Sequence, residues 1–373
     1  MRDYQELEPP LFSHSPVWLS VCDLAEPFTH QQQKKSKEVV QMWHYTVLQR
    51  SLSLCAAALV ILFAVSTGAM AATTQNITLR PGWNAVYLEV QPEVRTPAEV
   101  FKNLPVESVW TWFDRTSSVE FIRDPSEGLW AELGWSVYTR APDKAAAINL
   151  FAILANRAYL IKLGGTQDVA WSITGTPATG KTIWNSTSFN LVGFHVNPAS
   201  QPTFDTYLAL SPALKGQPVY RLNSFGKWEL IANPSTTKIK SGEAYWIYCN
   251  GPSSYQGPLT VQILGGALDF GTTLYKNSVT LTNDSVATRT VNITYQPAAD
   301  WFTYESFNVT SGFYEYLQLS SLSRQISVGR QINIWFAVRR ELLTNGLFQG
   351  TLEITDDIGS RLLVPVRVEK QVP

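Results

Sequence analysis

The chain has 373 residues, a formal net charge of −1 and 13 tryptophans. It lacks the excess of basic residues that binding to nucleic acid or to an anionic membrane surface requires, so neither partner is expected. After residue 71 the sequence holds a single histidine, His195, and a single cysteine, Cys249; this excludes an intrachain disulfide and the usual zinc sites, and no cofactor or metal is expected.

The N-terminal residues are expected to direct export. Residues 52–65 form an apolar run of signal-peptide length, Arg50 precedes this run, and residues 69–71 offer a small-residue cleavage site. We interpret residues 42–71 as a signal peptide and residues 1–41 as an over-extended or disordered leader, with an uncleaved anchor helix as the alternative. No later stretch is expected to span a membrane, and the destination would be the periplasm, the cell surface or the medium.

The next part of the sequence contains an internal repeat. GWNAVYLEVQP at residues 82–92 returns as SFNLVGFHVNP at 188–198, and RAYLIKLGG at 157–165 returns as EAYWIYCNG at 243–251. Apolar residues alternate at Val86, Leu88 and Val90 and again at Val192, Phe194 and Val196, which predicts strands with one apolar face. We therefore expect two small β-rich modules in tandem, over residues 72–178 and 179–266. A duplicated module favours a scaffold or a binding surface over a single active site.

Short helices are expected beside the strands. Thr96, Pro97 and Glu99 have the spacing of a capping box with proline at the first helical position. Residues 202–208 resemble the same element in the second module, and the alanine-rich residues 143–155 predict a further helix.

The first module carries about twenty extra residues, an insertion near 121–142 inferred from the matching repeats. Sugar rings stack on exposed aromatic side chains, so this region could bind carbohydrate; the alternative is that its rings fill the module's own core. Acidic residues in the insertion leave a glycosidase pair or a Ca²⁺ site as weaker options, without the spacing that either requires. The predicted ligand-binding residues are Trp112, Trp130, Trp135 and Tyr138.

Residues from Gly175 to Thr182 fit the pattern of a phosphate-binding P-loop. That motif needs a helix directly after the loop, whereas the following IWNSTSFNLVGF indicates a turn and a strand. We therefore expect no nucleotide here. His195 and Cys249 each fall in a predicted strand, which favours structural roles over a catalytic pair.

The two modules resemble a family of β-rich units in secreted bacterial and archaeal surface proteins. Its members open on a Gly-Trp-Asn strand and close near a Tyr-Trp-Ile strand, and Phe189 and Leu160 are departures from that pattern here. The resemblance implies small units of multidomain surface proteins and no established chemistry. The residues that mark the module cores are Trp83, Asn84, Trp110, Tyr159, Phe189, Asn190, Tyr245 and Trp246.

From residue 267 onward the pattern changes. LDFG at 268–271, with Phe270 as its core residue, and VTLTN at 279–283 resemble the opening of Hydin-like (ASH-type) immunoglobulin-like domains. This implies a β-sandwich over residues 267–373. Alternation predicts a closing hairpin from 351–355 and 362–368, with further strands at 314–319 and 331–338. Residues 297–330 depart most from the family.

The sequence as a whole predicts a mainly β protein of two modules and a sandwich. The leading hypothesis is a non-enzymatic, secreted or surface-associated structural and interaction protein with a protein or polysaccharide partner. The alternative is a carbohydrate-binding protein that uses the first module's aromatic residues. A glycan-acting hydrolase is the third hypothesis.

Overall fold

The computed structural model describes residues 73–112 and 134–371, and in these segments the chain is mainly β. The α-helices described are single turns, α1 (Pro97–Val100) and α2 (Phe204–Tyr207). No helix in the described segments has the length and apolar character that crossing a bilayer demands. The signal peptide and the leader lie outside the described residues.

The strands before residue 250 form three sheets. Their bounds are β1 (Thr73–Leu79), β2 (Gly82–Leu88), β3 (Val90–Pro92), β4 (Val106–Trp112), β5 (Trp135–Thr139), β6 (Arg157–Leu163), β7 (Val169–Pro177), β8 (Ser188–Val192), β9 (Val219–Leu222), β10 (Trp228–Leu230) and β11 (Tyr245–Cys249). The sheet orders are β1-β7-β3, β2-β6-β4-β5 and β8-β11-β9-β10. The two four-stranded sheets therefore share one strand order.

The cross-strand register of these two sheets also agrees. Ala85 lies opposite Leu160 in the first, and Leu191 lies opposite Trp246 in the second, at positions that the repeated sequence segments equate. The sheets are joined by main-chain hydrogen bonds, because the Ala244 N–H donates to the Ala85 carbonyl at 3.1 Å. Strand β2 thus continues into contact with the second module.

Both four-stranded sheets carry apolar side chains that pack on both faces. On β6, Tyr159 and Ile161 pack into the core of the first module, whereas Leu160 points to the opposite side. There it meets a set of indole rings from both sheets, which we call the tryptophan cluster. Its members are Trp83, Trp110, Trp112, Trp135, Trp228 and Trp246.

A buried asparagine fixes the start of each of these sheets. The Asn84 Oδ1 accepts from the Arg80 N–H at 2.9 Å, and its Nδ2 donates to the Arg80 carbonyl at 2.7 Å. In the second sheet, Asn190 makes the same pair of bonds to the main chain of Asn185, at 2.7 and 3.1 Å. Each side-chain amide therefore provides a partner for the main chain of the turn that precedes its sheet.

The C-terminal part is a two-sheet β-sandwich, as predicted. Its strands are β12 (Leu259–Gln262), β13 (Leu268–Asp269), β14 (Lys276–Asn283), β15 (Arg289–Gln296), β16 (Phe302–Asn308), β17 (Phe313–Gln318), β18 (Leu322–Ile326), β19 (Gln331–Val338), β20 (Gly346–Asp356) and β21 (Arg361–Lys370). The sheets are β12-β14-β19-β16-β17 and β13-β21-β20-β15-β18. The predicted closing hairpin is confirmed as β20–β21.

The sandwich is connected to the second module at two places. Strand β12 lies within the predicted second module but pairs with β14 of the sandwich. Val196 forms a bridge with Ser360, in the turn between β20 and β21. The domain bounds drawn from the sequence therefore stay predictions.

Three local predictions need correction. Residues 143–155 were predicted to be an α-helix, but only Pro142–Ala147 form a short 3-10 helix, and the chain beyond is irregular. The strand predicted through His195 ends at Val192, although Phe194 and Val196 remain buried as the alternation indicated. The helix predicted at Pro97 is confirmed, but Thr96 makes no side-chain capping bond.

Candidate interaction surface

Two of the predicted sugar-binding residues belong to the tryptophan cluster. Trp135 is 4% exposed, and its ring meets those of Trp112 and Trp246 edge to face, with centroids 5.1 and 6.3 Å apart. Tyr138 is half-buried against the core of the first module, and Trp130 lies outside the described residues. Trp112 and Trp135 therefore pack the sheets together and form no coplanar exposed row. Sugar binding stays a prediction, which this packing does not favour.

The nine residues predicted to mark the cores of the modules and the sandwich are buried or half-buried. Trp83 and Phe189 are half-buried, and the other seven are buried: Asn84, Trp110, Tyr159, Asn190, Tyr245, Trp246 and Phe270.

His195 is half-buried, and its imidazole bonds to polar side chains of the first module. Its Nε2 lies 2.9 Å from the Asn156 Oδ1 and 3.2 Å from the Tyr87 hydroxyl oxygen. Burial, and secondarily the positive charge of Arg361, lower the pKa of His195 to about 4. The imidazole is therefore neutral near pH 7, and Nε2 can donate to the amide oxygen of Asn156.

A buried carboxyl lies at the junction of the first module with the sandwich. Glu89 is 2% exposed, and burial raises its pKa to about 7, against the opposing effect of Arg361. An Arg361 nitrogen lies 3.7 Å from a Glu89 oxygen, and Arg361 also bonds Glu353 at 2.7 Å. Ser241 donates to Glu89 at 3.5 Å. Glu89 is thus a shared polar contact of three chain segments.

The remaining sulfur group is a buried thiol. The Cys249 Sγ donates to the Gly251 carbonyl at 3.2 Å, and burial raises the pKa of the thiol. A protonated thiol is a poor nucleophile. Cys249 bonds to Gly251, whereas His195 bonds to Asn156 and Tyr87, so the two residues share no hydrogen-bond partner. Within the described segments no group of three or more His, Cys, Asp or Glu side chains is arranged to hold a metal ion.

The P-loop-like segment has no helix behind it. Strand β7 includes Gly175 and runs to Pro177, and residues 178–187 form no helix. The loop instead lines a cleft of about 700 Å³, to which Lys181, His195 and Asp284 contribute. Without a helix N-terminus, the segment lacks the aligned amide groups that hold phosphates in a P-loop.

The most exposed apolar region of the described chain is the hairpin of β16 and β17, which we call the aromatic hairpin. Every residue of β17 is exposed, including Phe313 at 73% and Tyr314 at 65%. Phe307 on β16 is 51% exposed, and its ring contacts Tyr314 edge to face at 5.2 Å. Aromatic rings rarely remain in water on both faces of a strand, so this surface is a candidate for contact with a partner.

The hairpin is fixed by its own turn. The Asn308 Oδ1 accepts from the N–H groups of Thr310 and Ser311, and the Gly312 N–H donates to the Asn308 carbonyl at 2.8 Å. Gly312 takes a φ of 73°, which favours glycine. Strand β16 pairs with β19 only over its first three residues, so most of the hairpin extends past the sheet.

Strand β17 is also an edge strand. It pairs with β16 on one side, and among the described residues no strand pairs with its other side. Its only charged residue, Glu315, accepts from the Asn308 Nδ2 at 2.6 Å. Natural edge strands are often protected by charged side chains, proline or a bulge; β17 has no proline or lysine, and its edge carries Glu315 and the Arg339 guanidinium at the Tyr316 carbonyl.

The same face of the sheet carries more aromatic side chains beside the hairpin. Trp335 on β19 is 39% exposed, and the Lys276 Nζ lies 4.6 Å from its ring centroid. Lys276 also bonds Glu305, which accepts from the Tyr316 hydroxyl at 3.3 Å. The charges of this face are therefore largely paired with each other, and its apolar character dominates.

Sequence reasoning predicted a strand at 314–319 but no function for it. A usable signal exists in FYEYLQ, where large apolar or aromatic residues occupy both alternating sets of positions. A strand with one face in the core would place polar residues at one set.

No model of a known protein family matches the chain, and no characterised protein matches its sequence. The chain is distantly similar to solved structures. The ASH/PapD-like domain 7 of human CEP192 is 6% identical with a TM-score of 0.21, over 31% of this chain and 87% of that one. The CsuC–CsuE chaperone and tip adhesion subunit complex of Acinetobacter baumannii is 12% identical with a TM-score of 0.22, over 30% and 52%.

The VesB protease of Vibrio cholerae is 12% identical with a TM-score of 0.22, over 81% of this chain and 100% of that one. Likenesses this distant carry no argument about the function of this chain. The ASH-type motif at residues 268–283 is thus accompanied by a weak structural similarity, and membership of that family stays a prediction.

Proposed function

We propose that this chain is an exported, non-enzymatic interaction protein that presents β-sheet surfaces to a protein partner. The observation that carries the proposal is the aromatic hairpin, where six large apolar residues lie exposed between positions 307 and 317: Phe307, Val309, Phe313, Tyr314, Tyr316 and Leu317. Exposed apolar groups of this kind are costly to a soluble chain unless a partner covers them.

The rest of the described chain supports a scaffold role. We infer that the two four-stranded sheets are copies of one module, since their strand order, register and asparagine bonds agree. A second bond agrees too: the Tyr159 hydroxyl accepts from the Leu154 N–H at 2.7 Å, and the Tyr245 hydroxyl accepts from the Lys240 N–H at 2.9 Å. Shared cores and hydrogen bonds give a rigid base on which a projecting surface keeps its position.

The buried titratable groups support a non-enzymatic role. His195 is neutral near pH 7, and burial favours the protonated form of the Cys249 thiol. Neither is arranged beside a carboxylate as a nucleophile and base would be in a catalytic triad.

In vivo photo-cross-linking tests this proposal. The photoreactive residue p-benzoylphenylalanine replaces Tyr314 in the full chain, expressed in the cells that produce it. The matched control carries the same residue at Phe225, which is 87% exposed on the second module. We expect a discrete protein adduct from position 314 and none from 225. Equal or absent adducts at both positions would contradict the proposal.

A further inference from the structure

We propose that the aromatic hairpin binds a second copy of this chain, with β17 of each copy pairing antiparallel along its free edge. This inference rests on the proposed function of the same surface and names its partner. The resulting dimer would join two five-stranded sheets into one.

The main-chain groups at this edge follow from the neighbouring hydrogen bonds. The Leu319 N–H donates to the Phe302 carbonyl at 3.2 Å, so these two opposite residues form a hydrogen-bonded pair. Every second pair from there along β16 and β17 is hydrogen-bonded in the same way. Bonding alternates along an antiparallel ladder. The N–H and carbonyl groups of Tyr314, Tyr316 and Gln318 therefore point outward, away from β16. The Tyr316 carbonyl accepts from Arg339, and the Gln318 carbonyl accepts from the Ser320 N–H at 3.2 Å, so pairing with a second strand must replace these two bonds.

This alternation limits the registers that a two-fold dimer can adopt. A residue whose main-chain groups point to the edge must lie opposite another such residue in the second copy. The two-fold axis therefore passes through a residue and never between two residues. An axis at Glu315 would place two carboxylates opposite each other, which is unfavourable. An axis at Tyr316 places Tyr316 opposite its own copy and Glu315 opposite Leu317.

Charge complementarity favours the axis at Tyr316. An Arg339 nitrogen donates to the Tyr316 carbonyl at 3.0 Å, so a guanidinium already lies at the centre of the edge. In this register Glu315 of the second copy lies one residue away from that carbonyl. The Glu315 carboxylate can form an ion pair with the Arg339 guanidinium, which then releases the Tyr316 carbonyl for hydrogen bonding between the two β17 strands. The two-fold axis generates a second, identical ion pair.

A second copy fits this edge better than an unrelated charged partner. Glu305 is paired with Lys276, and Glu315 is bonded to the neutral amide of Asn308, so Glu315 is the charge that the hairpin offers to a partner. Self-pairing instead uses one anion and one cation of each copy and buries the aromatic rings of both hairpins.

Sedimentation velocity of the purified full chain across a concentration series tests the inference, with two adjacent lysine substitutions. Tyr316→Lys places two ammonium groups opposite each other at the axis, whereas Leu317→Lys places each ammonium opposite Glu315. We expect a concentration-dependent dimer whose dissociation constant rises more than about tenfold in Tyr316→Lys and changes less than about threefold in Leu317→Lys. Phe225→Lys is the remote control, and unfolding midpoints verify that each variant is folded.

A wild-type chain that stays monomeric throughout the soluble range overturns the inference, as does equal loss of the dimer in both lysine variants. If the purified chain is monomeric while position 314 still cross-links a different protein in cells, the dimer is excluded and the proposed function stands.

Discussion

Glu89 and His195 are expected to give the protein two opposing pH dependences. Burial raises the pKa of Glu89 from its ordinary 4.5 to about 7, so the folded chain keeps a proton that the unfolded chain releases in this window. The free energy of unfolding therefore falls as pH rises through it. About 2.5 pH units at about 1.4 kcal/mol each give a loss of about 3 kcal/mol.

His195 acts with the opposite sign. Burial and Arg361 lower its pKa from 6.5 to about 4, so the unfolded chain binds a proton that the folded chain does not. The free energy of unfolding therefore rises by about 3 kcal/mol as pH increases from about 4 to 6.5. Between pH 4.5 and 6.5 the two contributions cancel in the wild-type chain.

Single substitutions separate the two effects. In Glu89→Gln only the His195 contribution remains, so stability relative to wild type should rise by about 3 kcal/mol from pH 4.5 to 6.5. In His195→Gln it should fall by a similar amount. Urea unfolding followed by tryptophan fluorescence at several pH values measures both. Slopes parallel to wild type in both variants would refute the burial-based argument, because all other titrating groups are common to the three proteins.

Two further predictions concern packing in the modules. Asn84→Ala and Asn190→Ala should each lower the free energy of unfolding by about 1–3 kcal/mol, because a buried side chain is truncated and the main chain of a turn loses its partner, whereas exposed Asn76→Ala should change it by less than about 0.5 kcal/mol; equal effects at all three in urea unfolding would contradict this. Gly193→Ala should lower the free energy of unfolding by about 1–3 kcal/mol, because the added Cβ would clash with Cβ and Cγ of Tyr87, which ring rotation cannot move away; an unchanged thermal midpoint would contradict this.

Local sequence patterns predicted much of the strand content. The strand at 331–338 and the closing hairpin are found where alternation placed them, because each has one face in the sandwich core. The mutual packing of the two module sheets was not predictable. Leu160 and Trp246 alternate with buried tyrosines, and a strand buried on both faces gives no alternation to read.

The candidate surface was harder to predict than the fold. The aromatic hairpin lies in residues 297–330, where the resemblance to ASH-type domains is weakest. Its aromatic residues appear in the sequence, but their exposure depends on two features of the fold. Strand β17 lies at the edge of its sheet, and most of the hairpin extends past that sheet. Strand order is set by contacts between distant segments, such as β16 with β19, which short-range patterns do not contain. Trp135 was predicted to bind a sugar if exposed and to fill a core otherwise, and it lies in a core.

The tryptophan cluster couples the stability of the two modules, because it contains side chains from both. A fragment ending between them would leave broad indole surfaces in water and would be a substrate for quality-control proteases. Each module covers an apolar face of the other, so a mutation that destabilises one module also destabilises the other. Gene duplication here would have produced a single cooperative folding unit, in which later divergence of one half is constrained by the rings of its twin.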